Sequence, residues 1–157
     1  MATRALCWQD EDATAAFAQK LAAHPCIADA FIELQGDLGA GKTSLARHLL
    51  RSLGVQGRIR SPTYAVVEPY ALPADGTRPA LDIWHFDFYR FNDPREWEDA
   101  GFRDLFAAPG LKLAEWADKA RAVLPVADLL IHLEAQEDDT RRVHLTAHTP
   151  KGLELLA

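Results

Sequence analysis

The chain has 157 residues, a length typical of one domain, and we predict a single domain over residues 1–157. Hydrophobic residues make up 48% and charged residues 25%, the average for soluble globular proteins, which argues against a disordered chain. The 17 Lys and Arg against 23 Asp and Glu leave a net charge of -6, which argues against a broad basic surface that binds nucleic acid unaided.

Cysteine content and hydropathy set the expected compartment. Cys7 and Cys26 are too few for a disulfide framework, and no stretch holds the ~18 uninterrupted apolar residues of a membrane span. The N-terminal sequence turns acidic at residues 10–12 before the apolar core of a signal peptide develops. We therefore predict a cytoplasmic protein with no membrane segment.

The first third of the chain predicts a helix, a strand, a glycine-rich loop and a second helix. After the apolar stretch Leu6–Trp8, acidic residues suit the first turn of a helix that ends before Pro25. Ala28–Leu34 is predicted as a strand, and it leads directly into the glycine-rich loop of residues 36–43. The helix after this loop has leucines at i, i+4 spacing, and Gly54 is placed to end it.

The middle of the chain predicts two strands, a loop and a helix. Ala65–Glu68 is predicted as a strand, and Leu72–Pro79 as an exposed loop because it is rich in turn-forming residues. Leu81–Phe88 is predicted as the next strand from its β-branched and aromatic residues. A cap followed by a proline at Asp93-Pro94 predicts the start of a helix.

The last part of the chain predicts a short strand, a helix and a hairpin. The strand is Leu111–Glu115, the helix is Ala117–Leu124, and the hairpin joins Val126–Glu134 to Arg142–Ala147. The early strand-helix-strand unit requires a parallel crossover, while the hairpin adds antiparallel pairs. We therefore predict a three-layer α/β domain with a mixed β-sheet.

Residues 36–43 match the phosphate-loop pattern Gly-x-x-x-x-Gly-Lys-Thr, with a predicted strand before them and a helix after them. Glycines let successive backbone N–H groups turn toward phosphates, and the helix N-terminus adds its dipole. Lys42 supplies a cation to the β and γ phosphates, and the Thr43 hydroxyl is suited to bind Mg²⁺. The pattern predicts a P-loop NTPase-like domain that binds a nucleotide with Mg²⁺.

Hydrolysis needs a further carboxylate near the metal, usually at the end of a strand beside the phosphate loop. Two residues meet this condition, since Asp87 and Glu115 both stand at the ends of predicted strands. For either one, a surface carboxylate that caps a strand end is the alternative. The sequence pattern does not decide between the two.

Other patterns concern a possible switch segment, the base of the nucleotide and the absence of a zinc site. Ser61–Tyr64 follows Lys42 by about 20 residues, where many phosphate-loop proteins carry a switch segment. Its hydroxyls could approach the γ phosphate, although from the pattern alone an ordinary Ser-Pro turn is preferred. The guanine-reading Asn/Thr-Lys-x-Asp motif is missing, which favours adenine, and the histidines show no zinc-binding spacing.

Four motifs, in this order and spacing, resemble those of the bacterial TsaE family. They are the phosphate loop of residues 36–43, Ser61–Tyr64, the sequence HFDFYR at residues 85–90, and Glu115-Trp116. The resemblance covers nearly the whole chain. It implies a small ATPase that supports formation of threonylcarbamoyladenosine (t6A) on tRNA with the TsaB and TsaD subunits, without transferring the threonylcarbamoyl group itself.

The resemblance also implies roles for individual residues. Glu115 corresponds to a second Mg²⁺ ligand beside Thr43, Asp87 to a residue needed for hydrolysis, and Trp116 to a neighbour of the nucleotide. An acidic helix start and an arginine of the last hairpin lie near the nucleotide in the family, with Arg141 preferred here over Arg142. The expected catalytic residues are Lys42, Asp87 and Glu115. The expected nucleotide-binding residues are Glu11, Thr14, Asp37, Leu38, Gly39, Ala40, Gly41, Lys42, Thr43, Ser44, Thr63, Trp116 and Arg141.

Two other functions share the phosphate loop and this chain length. A small kinase would need an arginine-rich lid, and the loop Leu72–Pro79 offers only Arg78. A nucleotide sensor without useful turnover would not need carboxylates such as Asp87 and Glu115. For an ATPase of this family we expect ATP and ADP as ligands, Mg²⁺ as the metal, and only indirect contact with tRNA.

Overall fold

The computed structural model describes residues 2–60, 62, 66–91 and 101–157. The strands in these ranges are β1 Ala2–Trp8, β2 Phe31–Gln35, β3 Val67–Leu72, β4 Leu81–Asp87, β5 Leu111–Glu115, β6 Leu129–Ala135 and β7 Arg141–Ala147. The α-helices are α1 Glu11–Ala22, α2 Lys42–Leu53, α3 Phe102–Ala107 and α4 Pro150–Leu156, and 3₁₀ helices form at Pro25–Asp29 and Ala117–Ala120. None of these helices is long and apolar enough to cross a membrane.

The described strands form one mixed sheet in the order β1-β7-β6-β2-β5-β4-β3. The four central strands β6, β2, β5 and β4 are parallel, whereas β1, β7 and β3 pair with their neighbours in antiparallel fashion. The predicted α/β fold with a mixed sheet is therefore confirmed. Because the central strands are parallel, their carboxyl ends open at one edge of the sheet, where ligands of such folds bind.

Two apolar cores lie on the two faces of the sheet. Alternation along β2 illustrates this, since Ile32 packs with α1 and α2 on one face while Phe31 joins an aromatic cluster on the other. In that cluster the rings of Phe86 and Phe102 meet edge to face at 5.5 Å between centroids. Helices thus cover both faces, as the predicted three layers require.

The local signals for α1 and α2 act as the sequence predicts. The Asp10 side chain accepts a hydrogen bond from the Ala13 N–H at 2.9 Å and so caps α1. Gly54 adopts a left-handed φ of 113° just after α2, a conformation that glycine reaches without steric cost. Local residues thus define the start of α1 and the end of α2.

Several predicted boundaries are wrong. β2 begins at Phe31 because Pro25–Asp29 forms a 3₁₀ helix. The helix predicted at 117–124 is a 3₁₀ helix over Ala117–Ala120 only. β3 runs over Val67–Leu72, so it extends beyond the predicted end at Glu68 and includes Leu72, which was assigned to the loop.

β1 and α4 are among the elements that the sequence analysis did not predict. β1 is a mostly exposed edge strand in which only Trp8 is buried, so it lacks the alternation that reveals a strand. α4 is a single short helix at the chain end, although Thr149 caps it and Pro150 starts it. The predicted helix start at Asp93-Pro94 lies outside the described residues.

Candidate active site

A cavity of about 480 Å³ lies at the carboxyl edge of the central strands. Its floor is the phosphate loop and the start of α2, and one wall is formed by the ends of β4 and β5. The start of α1 and the start of β7 complete the rim. The cavity therefore occupies the place where the fold and the phosphate-loop motif both predict a ligand.

The phosphate loop depends on glycine at two positions. Gly36 has a φ of 147°, and a Cβ atom there would lie 2.5 Å from the backbone oxygen of Leu133 on β6. Gly41, with a φ of 109°, is the N-cap of α2, and its carbonyl accepts the Leu45 N–H at 3.0 Å. The loop can thus pass close beside β6 and turn into the helix, which directs the helix N-terminus at the cavity.

Lys42 is a buried cation on the cavity floor, only 5% exposed. Its ammonium donates to the Gly36 carbonyl and lies 3.8 Å from the centroid of the Trp116 ring. Burial lowers the pKa of Lys42, while the nearby carboxylates of Glu115 and Asp87 oppose that shift. An ammonium has three donors, so this side chain can exchange the ring contact for phosphate oxygens.

Glu115 links the cavity to the interior of the sheet. Its Oε1 accepts a hydrogen bond from the Thr43 hydroxyl at 3.2 Å, and its Oε2 lies 2.6 Å from Nε2 of His85. Both Glu115 and His85 are buried, at 3% and 1% exposure. The hydroxyl and the carboxylate that were separately proposed to bind Mg²⁺ are therefore adjacent, although 72 residues separate them in the chain.

Asp87 is the second buried carboxylate at this edge, and it pairs in register with Glu115 on the neighbouring strand. Its Oδ1 accepts the Tyr89 N–H at 2.9 Å. Burial raises the pKa of Asp87, and the nearby negative charge of Glu115 adds to the shift. Glu115, whose carboxylate bonds the Thr43 hydroxyl, is therefore placed better to share a metal with Thr43, and Asp87 lines the same wall.

The rim carries the remaining predicted contacts. Glu11 accepts hydrogen bonds from the Ser44 hydroxyl and from His48, the latter at 2.7 Å, and these bonds lower the pKa of Glu11. Arg141 starts β7 opposite Trp8 and has its Nε 3.5 Å from where a Gly41 Cβ would lie. Arg142 is exposed and is absent from the cavity wall, so the structure places Arg141 at the site.

Most of the predicted site residues line this one cavity. They are Glu11, Thr14, Leu38, Gly39, Ala40, Gly41, Lys42, Thr43, Ser44, Asp87, Glu115, Trp116 and Arg141. Asp37 is exposed in the loop, where its carbonyl accepts the Ala40 N–H at 3.0 Å, and it is not part of the cavity wall. Thr63 and its neighbours Ser61 and Tyr64 lie outside the described residues.

The cavity also contains residues that the sequence analysis did not assign. They are Trp8, Asp10, Tyr89, Arg90, Leu133 and Asp139. Tyr89 and Arg90 directly follow Asp87, so the HFDFYR sequence already contained the signal for them. Trp8 and Leu133 reach the cavity through strand pairing and loop packing, for which a single sequence gives no local sign.

The residues present fit a nucleoside triphosphate with Mg²⁺. The floor offers a buried cation and a glycine cradle at a helix N-terminus for phosphate, and a hydroxyl beside a carboxylate for a hard cation. In the described ranges, no group of three or more His, Cys, Asp or Glu side chains is placed to hold a metal by itself. Mg²⁺ does not need such a group, because phosphates and waters supply most of its ligands.

Comparisons with known proteins point to one family. The profile of the TsaE family, described as threonylcarbamoyl adenosine biosynthesis protein TsaE, matches residues 8–143. The chain is 41% identical over 126 residues to the tRNA threonylcarbamoyladenosine biosynthesis protein TsaE of Haemophilus influenzae, which covers 80% of this chain and 75% of that protein. It is 36% identical over 116 residues to the TsaE of Bacillus subtilis, covering 74% of this chain and 68% of that protein. The crystal structure of Bacillus subtilis YdiB superposes with a TM-score of 0.74 at 28% identity, covering 99% of this chain and 94% of that one.

Proposed function

The chain belongs to the TsaE family of threonylcarbamoyladenosine biosynthesis, and we propose that it serves this pathway as an ATPase that binds ATP with Mg²⁺ and hydrolyses it. The observation that carries the proposal is the Thr43–Glu115 hydrogen bond beside the buried Lys42. A binding module needs the phosphate loop, whereas a buried carboxylate held against the metal-binding hydroxyl is the feature of a loop that also does chemistry.

In the proposed reaction each side chain has a separate task. The Lys42 ammonium leaves the face of Trp116 and binds the β and γ phosphates, where it stabilises the charge that develops during transfer. Bound Mg²⁺ would neutralise phosphate charge, held from the protein side by Thr43 and Glu115. Asp87, whose raised pKa makes it a better proton acceptor than an exposed aspartate, orients the attacking water.

The role of turnover in the pathway is to reset a partner complex. We propose TsaB and TsaD as the partners, on the family resemblance, and the cytoplasm as the compartment, since tRNA is modified there. With a net charge of -6 the chain is a poor binder of tRNA by itself, so we expect its contact with tRNA to be indirect.

The test is ATP hydrolysis by the purified chain with Mg²⁺, alone and with TsaB and TsaD. We expect turnover that rises when the partners are added and falls by at least about 10³-fold in Lys42→Ala, because the variant loses the phosphate cation. Lys20→Ala, which removes an exposed lysine from α1, is the matched control and should match the wild type.

Three outcomes separate the alternatives. Transfer of the γ phosphate to a small acceptor would support a kinase instead, and ATP binding without turnover, with or without partners, would support a sensor. Normal hydrolysis in a folded Lys42→Ala protein would contradict the phosphate-loop assignment itself.

A further inference from the structure

We propose that His85 is a positioning residue that holds the Glu115 carboxylate in the orientation that Mg²⁺ binding requires. The inference rests on the proposed function, because it assigns a role in binding the metal of that reaction. It concerns a side chain outside the cavity wall, which neither the motif analysis nor the lining of the cavity identifies as a functional group.

The carboxylate of Glu115 is fixed at both oxygens. His85 Nε2 lies 2.6 Å from Oε2 on the interior side, and the Thr43 hydroxyl donates to Oε1 on the cavity side. An ionised carboxylate only accepts hydrogen bonds, so the imidazole donates from Nε2. The bond to His85 therefore occupies one oxygen and leaves the other directed at the metal-binding hydroxyl.

The polar capacity of His85 is committed to this one contact. The ring is 1% exposed, and its Nδ1 atom is buried without a hydrogen-bond partner among the residues that the structure describes. On the same sheet face, Ile83 lies two residues before it and Leu113 lies beside it on β5. The other neighbours on that face are charged residues: Glu68 pairs with it in register on β3, and Asp87 lies two residues after it. An apolar side chain in this place would leave the buried Oε2 atom of Glu115 without its donor, so the imidazole serves the carboxylate and does more than fill space.

This arrangement corresponds to a general feature of metal sites, in which an outer partner orients the ligand. Removal of such partners lowers metal affinity or activity by about 10- to 100-fold, although they never touch the metal. Without His85, the Glu115 side chain would be free to rotate its carboxylate away from Thr43. The loss should therefore appear in the Mg²⁺ requirement rather than in the affinity for the nucleotide itself.

The experiment compares His85→Gln with His85→Asn. The amide nitrogen of Gln reaches about as far from Cα as imidazole Nε2, whereas that of Asn is one methylene shorter, so only Gln can still donate to Glu115. The readouts are turnover and the calorimetric affinity for ADP, each titrated with Mg²⁺. We expect Asn to raise the half-saturating Mg²⁺ concentration about tenfold, Gln to stay within about threefold of wild type, and ADP affinity without Mg²⁺ to be unchanged in both. If Asn does not fold, His85→Leu fills the space without a donor and carries the same expectation.

A double-mutant cycle with Glu115→Gln isolates the coupling between the two residues. In that background His85→Asn should add no further change in Mg²⁺ requirement, because the charged ligand that it positions is already gone. Equal Mg²⁺ curves for Asn, Gln and wild type, with only a lower melting temperature, would overturn the inference. A wild-type chain whose ADP binding ignores Mg²⁺ would instead overturn the metal role in the proposed function and this inference with it.

Discussion

Glu33 on β2 and Glu115 on β5 are two glutamates on neighbouring strands. Both are 3% exposed, but they have different partners. Glu33 lies on the face of the aromatic cluster, where Arg121 binds both its oxygens at 2.8 and 2.6 Å. Glu115 lies on the other face, where a histidine and a hydroxyl hold it instead of a full cation.

The two carboxylates differ in the groups that bind their oxygens. Both oxygens of Glu33 are paired with the Arg121 guanidinium, and this pairing raises the pKa of Arg121. Glu115 keeps its negative charge toward the cavity, and Lys42 nearby contacts the Trp116 ring rather than the carboxylate. Equal burial thus gives an ion pair in one place and, in the other, the carboxylate that we propose as a metal ligand, and the partner of each carboxylate makes the difference.

Among the substitutions of these residues, Glu115→Gln should have the largest effect on turnover. The amide keeps the shape and loses the charge, so we expect turnover to fall about 10³-fold, equivalent to ~4 kcal/mol, with a raised Mg²⁺ requirement and little change in melting temperature. Glu33→Gln is the matched control and should keep wild-type turnover per folded molecule. Equal loss of turnover in the two variants would mean that burial, not the partner, sets the role.

Arg121→Ala tests the other glutamate by removing the partner of Glu33. It leaves the Glu33 carboxylate buried without a counter-charge, which costs about 3 kcal/mol of unfolding free energy and lowers the melting temperature by about 10 °C. Nucleotide affinity and turnover of the folded protein should be unchanged, since Arg121 is outside the cavity wall. Calorimetric melting measures the first effect, and a normal melting temperature would show that the Gln35 amide, which donates to Glu33 Oε2 at 3.2 Å, and solvent are enough for the carboxylate.

Asp87→Asn sharpens the contrast within the cavity. We expect turnover to fall about 10²-fold, near ~2.7 kcal/mol, with the Mg²⁺ requirement less affected than in Glu115→Gln. Because burial raises the pKa of Asp87, wild-type turnover should fall on acidification at a pH above the ordinary aspartate range, as the carboxylate takes up its proton. The Asn variant should lack that acid limb and be no less stable at neutral pH, since an acid with a raised folded pKa costs stability once it is ionised. Exchanged Mg²⁺ effects in the Asp87 and Glu115 variants would exchange their roles.

The sequence predicted the parts of the site that lie in contiguous motifs. Gly36, Lys42 and Thr43 follow one another in a pattern whose spacing is fixed by the shape of a phosphate, so local reading was sufficient. Asp87 and Glu115 were found as strand ends, but their relative roles stayed open, because the register that places Glu115 beside Thr43 is a property of the sheet.

The partners that distinguish the two glutamates could not be predicted from local sequence patterns. Glu33 and Arg121 are 88 residues apart, and Arg121 falls in a segment predicted as an ordinary helix. His85 stands in a recognised motif, yet nothing along the chain says which of its nitrogens meets a carboxylate 30 residues later. Strand pairing and side-chain direction settle these contacts, and a single sequence carries no local signal for either.

The smallest expected effect is spectroscopic, and it uses two tryptophans that each have a lysine ammonium near the ring, one inside the cavity and one outside its wall. Trp116 lies 3.8 Å from the Lys42 ammonium in the cavity, and Trp84 lies 5.4 Å from Lys112 on the side of Glu33. Phosphates that bind Lys42 must replace the Trp116 ring as its neighbour, so Trp116→Phe should remove most of the fluorescence response to ATP. Its effect on ATP affinity should stay near ~1 kcal/mol, the size of one cation–π contact.

Trp84→Phe is the matched control, because it makes the same substitution beside another lysine, outside the cavity. Lys112 is buried and bonds the Ala108 carbonyl at the far end of β5, away from any residue of the cavity wall, so ATP has no means of changing the surroundings of Trp84. The response should therefore survive in Trp84→Phe and be lost in Trp116→Phe. If instead both variants kept the full response, the reporter would be one of the other two tryptophans, Trp8 or Trp97, and the Lys42–Trp116 contact would not be the one that nucleotide displaces.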